Sequence, residues 1–294
     1  MPALKKLKIL FVINPGSGNN NTNWPGVIEN YFAPLHHSIE LFMLPDNCDV
    51  TMIEDKLLQF DPELAVAVGG DGTVKLVAEC LLKKNIPLGI LPGGSANGLA
   101  KELGISEKPQ DALDVLVKGE IRKIHVMRVN GHLCVHLSDI GFNAFLIKKF
   151  ETQNGRGMWG YLKASVKVLF KHDLMEVEMD IEGKAVKISA AMIVIANATK
   201  YGSGAVINPI GKLDDSLFEV IALKKISLHE IYRMTFFPAR INPDKTEIFQ
   251  TNVLKIRSRH RVHFQVDGEY LGKVNEINAG IIPQALEIIV PSIQ

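Results

Sequence analysis

The sequence has few cysteines, few aromatic residues and no excess of either charge. Cys48, Cys80 and Cys134 are the three cysteines among 294 residues, and none of them forms a CxxC pair. Because an odd, scattered set is no disulfide framework, the sequence predicts reduced structural thiols in a cytoplasmic protein. A formal net charge of +1 gives the whole molecule no electrostatic reason to bind nucleic acid.

Long apolar segments and several site motifs are also missing. We expect no membrane span, because no apolar run is long enough to cross a bilayer. We also expect no secretory signal, because the N-terminus has no apolar h-region. Any membrane contact is therefore expected to be peripheral. The nine histidines show no HExxH spacing, which argues against a zinc site. GxxxxGK[ST], HRD and DFG are absent, which excludes an ordinary P-loop and a protein kinase.

What is present is a globular composition, 47% hydrophobic and 22% charged, whose pattern changes once. Residues 1–122 alternate strands with helices, which predicts an α/β domain with a doubly wound parallel sheet. Residues 123–283 contain short alternating strands, which predicts an antiparallel β-sandwich with helices inserted at about 157–171 and 227–237. The final strand, within 284–294, is consistent with either domain.

Two hairpins are predicted in the second half. Asn130-Gly131 separates the strands 121–129 and 133–137, and Asn-Gly is a favoured pair for a type I′ turn. Glu182-Gly183 follows an alternating segment and predicts the second hairpin. Further strands are expected at 190–196, 217–223, 253–266 and 287–290.

The most informative stretch begins with an apolar strand, Leu64–Val68, that stops at a glycine-rich turn and continues with helical spacing. A strand, a glycine turn and a helix N-terminus form an anion site, because backbone N–H groups and the positive end of the helix dipole converge there. Two other strands of this kind, at 7–13 and at 87–91, end in similar turns. The turn residues are Gly69, Gly70, Asp71, Gly72 and Thr73; Asn14, Pro15, Gly16, Ser17 and Gly18; and Gly94, Ser95 and Asn97.

The three turns are expected to meet, because open parallel sheets bind ligands at the carboxyl ends of their strands. Ser95 is expected to act as a helix N-cap or a phosphate donor. Asp71 is unusual in such a turn, since a carboxylate repels phosphate unless a cation lies between them. Asp71 therefore indicates a nucleotide bound with a metal ion.

Two pairs of acidic residues in the second half of the sequence each allow two interpretations. Asp267-Gly268-Glu269 fits either a simple hairpin turn or a carboxylate pair, in which Glu269 takes a proton from an attacking hydroxyl. Asp214-Asp215 fits either a solvated turn or a hard-cation site that uses Asp215 and nearby carbonyl oxygens.

Basic residues recur with strand spacing from Lys255 to His263 and with helical spacing at Lys163, Lys167 and Lys171. Such stripes fit either a solvated face or a surface that contacts an anionic membrane.

With these residues identified, the chain resembles the diacylglycerol kinase catalytic domain family, which includes bacterial lipid kinases and sphingosine kinases. The matching segments follow the family's order over nearly the whole chain. They are Asn14–Gly18, Gly69–Thr73, Pro92–Asn97, Gly141–Ala144, Leu213–Asp215 and Val266–Glu269.

The resemblance implies a lipid kinase that uses ATP and Mg²⁺, with ATP held by the glycine turns in a cleft between the two domains. It implies that Glu269 is the general base, that Asp71 serves the magnesium nucleotide, and that Asp267 belongs to the same catalytic motif. It also implies a second Mg²⁺ held by Asp215 and the carbonyls of Lys212 and Leu217.

The implied partners are a lipid substrate and the inner face of an anionic membrane; a homodimer is left open. Gly98 and Ser216 depart from the family pattern, so the identity of the lipid is not defined. Two alternatives are kept: a phosphotransferase similar to NAD kinase acting on a soluble substrate, and a nucleotide-binding regulator without catalysis.

Overall fold

A computed structural model describes residues 6–18, 22–82, 84–145, 147, 174–199, 206–225 and 244–292. The chain divides into two compact units. Unit 1 contains Met1–Ile124 and Gln284–Gln294, and unit 2 contains His125–Pro283. The predicted helices at 157–171 and 227–237, with the lysine face at 163–171, lie outside the described residues.

Unit 1 contains a parallel sheet in the order β2-β1-β3-β4. Its strands are β1 Lys8–Ile13, β2 Ser38–Met43, β3 Leu64–Gly69 and β4 Leu88–Pro92. The end of a long strand, β14 Glu269–Val290, extends this sheet, because Ile288 pairs in parallel with Leu88 of β4. The predicted strand at 287–290 is therefore the last part of β14.

Five helices accompany the sheet of unit 1. They are α1 Trp24–Phe32, α2 Val50–Phe60, α3 Asp71–Leu81, α4 Gly98–Glu102 and α5 Pro109–Lys118. Their starts follow from local chemistry. The Asp49 side chain accepts a hydrogen bond from the backbone N–H of Met52 and caps α2, and Pro109 occupies the first position of α5, where no N–H is needed.

The core of unit 1 surrounds β3, whose six residues are all buried. This agrees with a strand covered on both faces, as the unbroken apolar run of Leu64–Val68 indicates. Helix α1 contributes Ile28 and Phe32, and the Phe32 ring lies 5.5 Å from that of Phe11 on β1. Burial of these apolar side chains fixes the positions of the strand ends.

Unit 2 is built from antiparallel strands, in the order β12-β11-β10-β7-β13-β14 with β8 and β9 attached to β13. Its strands are β5 Glu120–Val129 (from His125 onward), β6 His132–Cys134, β7 Leu137–Gly141, β8 Met175–Ile181, β9 Lys184–Ala190, β10 Met192–Ala196, β11 Phe218–Leu223, β12 Thr246–Thr251 and β13 Val253–Val266, together with β14 as far as Pro283.

The fold class predicted from the sequence is confirmed: parallel strands come first and antiparallel strands follow. Both predicted hairpin turns have the expected backbone. Asn130 and Gly131 have φ of 49° and 85°, and Glu182 and Gly183 have φ of 54° and 80°. Two positive φ angles in succession define a type I′ turn, whose twist matches that of paired strands.

Two predicted strands were wrong in their limits. The single strand expected at 133–137 is divided between β6 and β7, because the carboxylate of Asp267 accepts the N–H groups of residues 135–137 and removes them from strand pairing. The strand expected at 190–196 begins two residues later, as β10, because Ala190 is the last residue of β9, which pairs with a different neighbour. Among the described helices, none has the length and apolar character needed to cross a bilayer.

The thiols differ in reactivity. Burial raises the pKa of Cys80 to about 12, and Cys134 is fully buried, whereas Cys48 is partly exposed. Because the thiolate is the nucleophile, iodoacetamide at pH 8 is expected to modify Cys48 first and Cys80 and Cys134 only after unfolding. Peptide mass analysis of native and urea-unfolded samples measures this order. Equal labelling of Cys48 and Cys80 in the native protein would contradict it.

Candidate functional site

The three glycine turns of unit 1 follow β1, β3 and β4, which are neighbours in the parallel sheet. Their carboxyl ends therefore share one edge. Backbone hydrogen bonds join the turns there: the Gly93 N–H donates to the Gly69 carbonyl over 2.8 Å, and the Asn14 N–H donates to the Val68 carbonyl over 3.0 Å. We call the segments Asn14–Gly18, Gly69–Thr73 and Gly93–Asn97 the glycine cradle.

The glycines of the cradle contact one another through their backbones. A Cβ atom on Gly94 would lie 2.4 Å from the Cα of Gly70, and a Cβ on Gly18 would lie 2.5 Å from the carbonyl oxygen of Gly93. No side chain fits at these positions, so the turns approach as closely as polypeptide backbones can. By contrast, a Cβ on Gly72 would meet nothing within 4 Å.

Asn14 connects the first turn to the second. Its side-chain amide donates to the hydroxyl of Thr73 over 3.1 Å, and its side-chain oxygen accepts from the Gly16 N–H over 3.0 Å. The Ser17 hydroxyl donates to the Asn14 carbonyl over 2.9 Å. The Asn14 side chain makes the first two of these bonds because its amide is both donor and acceptor.

The Asn97 side chain forms hydrogen bonds within the third turn. Its side chain accepts from the Gly94 N–H and donates to the Gly94 carbonyl, each over 2.9 Å, and also donates to Glu107 over 3.0 Å. That bond to Asn97 is the main cause of the lowered pKa of Glu107. Asn97, with φ of 51°, is the N-cap of α4. The expectation that Ser95 caps this helix was wrong; Ser95 is exposed within the turn.

Asp71 begins α3 and binds the start of α4. Its two carboxylate oxygens accept the N–H groups of Gly98 and Leu99, over 2.9 and 3.1 Å. These amides have no partner within the helix, so the carboxylate stabilises α4 through both hydrogen bonding and the helix dipole. Sequence reasoning did not foresee this contact, because it depends on two turns that only the sheet brings together.

The cradle has the features of an anion site. The N-cap of α3 is Gly70, which provides no side-chain cap, so amides of the first turn of α3 are available to a ligand. Each oxygen of Asp71 keeps a lone pair beyond its hydrogen bond and remains able to bind a cation. The described segments contain no group of three His, Cys, Asp or Glu side chains suited to a metal ion. A metal at Asp71 would thus be held largely by phosphate and water, as Mg²⁺ commonly is.

In unit 2, the two acidic residues of the Asp267–Glu269 turn have different surroundings. The Asp267 carboxylate accepts three backbone N–H bonds, from Val135, His136 and Leu137, over 2.9–3.1 Å. Glu269, the first residue of β14, is exposed. Asp267 therefore fixes the turn that presents Glu269.

A buried network holds the same turn from its other side. Gln265 accepts from the Gly268 N–H over 2.7 Å and donates to Asp139 over 2.6 Å. Asn143 also donates to that oxygen of Asp139, over 2.6 Å. Asp139 and Gln265 were not singled out from the sequence, and Asn143 was named only as part of the Gly141–Ala144 segment; the signal was a polar residue, Gln265, at a buried strand position between Phe264 and Val266.

The loop that contains Asp215 lies elsewhere in unit 2. The Asp215 side chain accepts from the Leu217 N–H over 3.2 Å, and Ser216 has φ of 62°, a conformation that favours glycine. The nearby Glu219 carboxylate is 1% exposed and accepts from Gln250 over 2.9 Å. Burial raises the pKa of Glu219, and the charge of Asp215 contributes in the same direction.

A chain of hydrogen bonds connects the Asp215 loop to the Asp267 turn. After Asp267, which accepts from the His136 N–H, the His136 carbonyl accepts from the Asn197 N–H, and the Asn197 side chain donates to His125. The His125 N–H then donates to the Leu213 carbonyl.

The basic stripe of β13 is largely ion-paired. Lys255 and Arg257 lie 3.0 and 3.8 Å from Glu276, and Arg259 lies 3.4 Å from Glu176. The register of β13 against β14 also shifts between Arg257 and Val262, which breaks the regular alternation. Of the two interpretations, a solvated and paired face describes this strand better than a uniformly basic surface.

Replacing Asp267 tests whether it fixes the turn. Asp267→Ala leaves three backbone N–H groups without their acceptor, so we expect the free energy of unfolding to fall by roughly 2–4 kcal/mol. Asp267→Asn keeps one acceptor oxygen and is expected to lose about half as much. Urea unfolding followed by circular dichroism measures both variants. An Asp267→Ala protein as stable as the wild type would show that these bonds do not hold the turn.

Comparisons with known proteins agree with this arrangement. Residues 8–129 match the family model of the diacylglycerol kinase catalytic domain, and residues 140–290 match that of the YegS C-terminal NAD kinase beta sandwich-like domain. A diacylglycerol kinase from Bacillus subtilis is 29% identical over 229 residues, which are 74% of this chain and 74% of that protein.

An uncharacterized protein from Synechocystis is 29% identical over 244 residues, and the match spans 77% of this chain but about half, 54%, of that longer protein. Among solved structures, a diacylglycerol kinase from Bacillus anthracis has a TM-score of 0.73 at 17% identity, covering 97% of each chain, which shows a shared fold. With both domain models matched in order along the sequence, the chain belongs to the diacylglycerol kinase catalytic domain family.

Proposed function

We propose that this protein is an ATP- and Mg²⁺-dependent lipid kinase that phosphorylates a hydroxyl of diacylglycerol or a related lipid. The observation that carries the proposal is the glycine cradle, in which three backbone turns meet at the carboxyl ends of adjacent parallel strands. Such turns, next to the uncapped start of α3, are suited to hold phosphate groups. Membership of a family named for lipid phosphorylation supports the choice of acceptor.

The cradle residues bind and orient the phosphate chain in this proposal. Backbone N–H groups of the turns that are not bonded within the cradle face the phosphate oxygens, and the Thr73 and Ser95 hydroxyls are further donors. Asn14 joins the first turn to the second, and Asn97 holds the shape of the third, through the bonds described above. Positioning of this kind supplies most of the catalysis that phosphoryl transfer requires from protein.

Asp71 and Glu269 have separate roles. Bound Mg²⁺–ATP supplies a transferable phosphoryl group whose charge the metal partly neutralises. Asp71 would hold that metal with the lone pairs left by its bonds to Gly98 and Leu99. Glu269 accepts the proton of the lipid hydroxyl, for which its exposed carboxylate is suited. Asp267 acts on the reaction through the turn that it fixes.

A second Mg²⁺ is proposed at the Asp215 loop, held by the Asp215 carboxylate and the carbonyls of Lys212 and Leu217. The left-handed backbone of Ser216 supports this, since it turns the loop sharply between two of the three ligand residues. The charge of Asp215, which contributes to the raised pKa of the buried Glu219, also supports it, because a cation would stabilise the charged form of both carboxylates.

The lipid substrate places the working enzyme at a membrane surface. We therefore propose a cytoplasmic protein that contacts the inner, anionic face of the membrane peripherally. The ion pairs along β13 remove much of the net positive charge from that strand, so it is not our candidate for the contact. A homodimer remains compatible with the proposal, which does not require one.

The decisive test is transfer of γ-labelled phosphate from ATP to mixed lipid vesicles. Wild type is expected to label a lipid. Glu269→Gln should lower turnover by about 10²–10⁴-fold, the usual range for loss of a general base, and Asp71→Asn should abolish detectable labelling. Glu182→Gln, which neutralises an exposed carboxylate elsewhere in unit 2, is the matched control and should behave as wild type.

Other outcomes would redirect the assignment. Labelling of a soluble acceptor without lipid or detergent would favour a phosphotransferase similar to NAD kinase. Tight ATP binding without any labelled product, over a broad panel of lipids and soluble alcohols, would favour a regulatory nucleotide-binding protein. Full turnover by Glu269→Gln would remove Glu269 as the base.

Alanine variants of two cradle glycines distinguish a residue needed for packing between the turns from one expected to contact the ligand. Gly94→Ala places a methyl group 2.4 Å from the Gly70 Cα, so stability should fall by about 1–3 kcal/mol and MgATP affinity should fall with it. Gly72→Ala meets nothing within 4 Å and favours helix α3. Its stability should be unchanged or higher while MgATP binding weakens. Calorimetry and thermal melting measure both, and wild-type affinity in Gly94→Ala would contradict the proposed site.

A further inference from the structure

The indole nitrogen of Trp24 is a buried donor that forms no hydrogen bond with the described residues. Trp24 is the first residue of α1 and is 6% exposed. Its indole Nε1 is shielded from solvent and has no hydrogen-bond partner within the described part of the chain. An indole N–H can donate but cannot accept. Buried donors without acceptors are rare in folded proteins, so this one calls for an explanation.

The indole N–H lies against the glycine cradle. A Cβ atom built on Gly93 would be 3.2 Å from Nε1 of Trp24 and 3.3 Å from the Cα of Gly69. The donor is therefore next to the point where the second and third turns meet. Gly18 brings the first turn to the same place, since its Cβ would contact the carbonyl of Gly93. Glycine at position 93 leaves space beside Nε1, which any side chain there would crowd.

The polar groups around Trp24 are engaged with one another. The carbonyl of Gly69 accepts from Gly93, and the carbonyl of Gly94 accepts from the Asn97 side chain. The side-chain oxygen of Asn23 accepts from Gly26 and caps α1. Each of these oxygens already accepts one hydrogen bond, and among the described residues none accepts from the indole. A ligand bound in the cradle can supply the missing acceptor.

We infer that the Trp24 indole N–H donates a hydrogen bond to a phosphate oxygen of the nucleotide bound in the glycine cradle. This inference rests on the proposed function. Phosphate is the acceptor that the surroundings favour, because the cradle offers backbone donors and the start of α1 adds the positive end of a nine-residue helix. The adenine and ribose offer no comparable negative charge.

The indole contributes affinity and orientation without adding charge to the site. A hydrogen bond to a charged acceptor is stronger than one between neutral groups, and it orients the phosphate because the ring is fixed by burial. Trp24→Phe keeps an aromatic ring in the core and removes the donor. It is expected to weaken binding of MgATP and of tripolyphosphate by about tenfold or more.

Nitrogen-15 spectroscopy of the indole groups tests the inference in the unaltered protein. The chain has two tryptophans, Trp24 and Trp159, so its indole N–H signals are two, and Trp159→Phe assigns them. Addition of tripolyphosphate or MgATP should move the Trp24 signal downfield, and adenosine alone should leave it in place. An unmoved Trp24 signal at saturating MgATP would overturn the inference.

Calorimetry with the Trp24→Phe variant separates this inference from the proposed function. Weakened binding of tripolyphosphate, with adenosine binding unaffected, supports it. Equal MgATP affinity in wild type and variant overturns the role of Trp24 and leaves the nucleotide site standing. No binding of MgATP or tripolyphosphate to wild type overturns both. If Trp24→Phe fails to fold, the indole spectra of the wild-type chain decide alone.

Discussion

The contact between the backbones of Gly70 and Gly94 is the constraint on which the site in unit 1 depends. A Cβ atom at position 94 would clash with the Cα of Gly70, so no other residue fits there, and the turns after β3 and β4 can meet only through glycine. That contact in turn places Asp71 against the first amides of α4 and leaves the Trp24 indole beside Gly93. A ligand therefore meets a surface made almost entirely of backbone, which is what phosphate recognition by turns requires.

Both motif aspartates hold backbone in place, each in its own unit. Asp71 accepts two N–H groups at the start of α4, and Asp267 accepts three between β6 and β7. A carboxylate is well suited to this because it accepts several hydrogen bonds at once, each strengthened by its charge. Asp71 and Asp267, which the sequence predicts to be catalytic, therefore also stabilise the turns in which they lie. Replacing either residue alters the backbone structure as well as the charge. The Asp267 and glycine variants are designed to distinguish these effects.

Much of the fold could be predicted, because periodicity reports burial directly. The unbroken apolar run of β3, the alternation of β8 and the Asn130-Gly131 turn each have one common structural solution. The errors have a common cause as well. The strand expected at 133–137 is interrupted by a side chain more than 130 residues away in sequence, and Ser95 gives up the capping position to Asn97, which Glu107 supports. Long-range hydrogen bonds of this kind leave no local pattern.

The sequence by itself determined the order of the strands and helices, the parallel and antiparallel character of the two halves, and the three glycine turns. Chain-local chemistry suffices for these, since they follow from apolar spacing and from the conformational freedom of glycine. Only the tertiary structure decided how closely the turns approach one another, which carboxylates are engaged by backbone amides, and that the Trp24 indole N–H has no partner within the described residues. Those properties depend on atoms that are distant along the chain and become neighbours when the sheet forms.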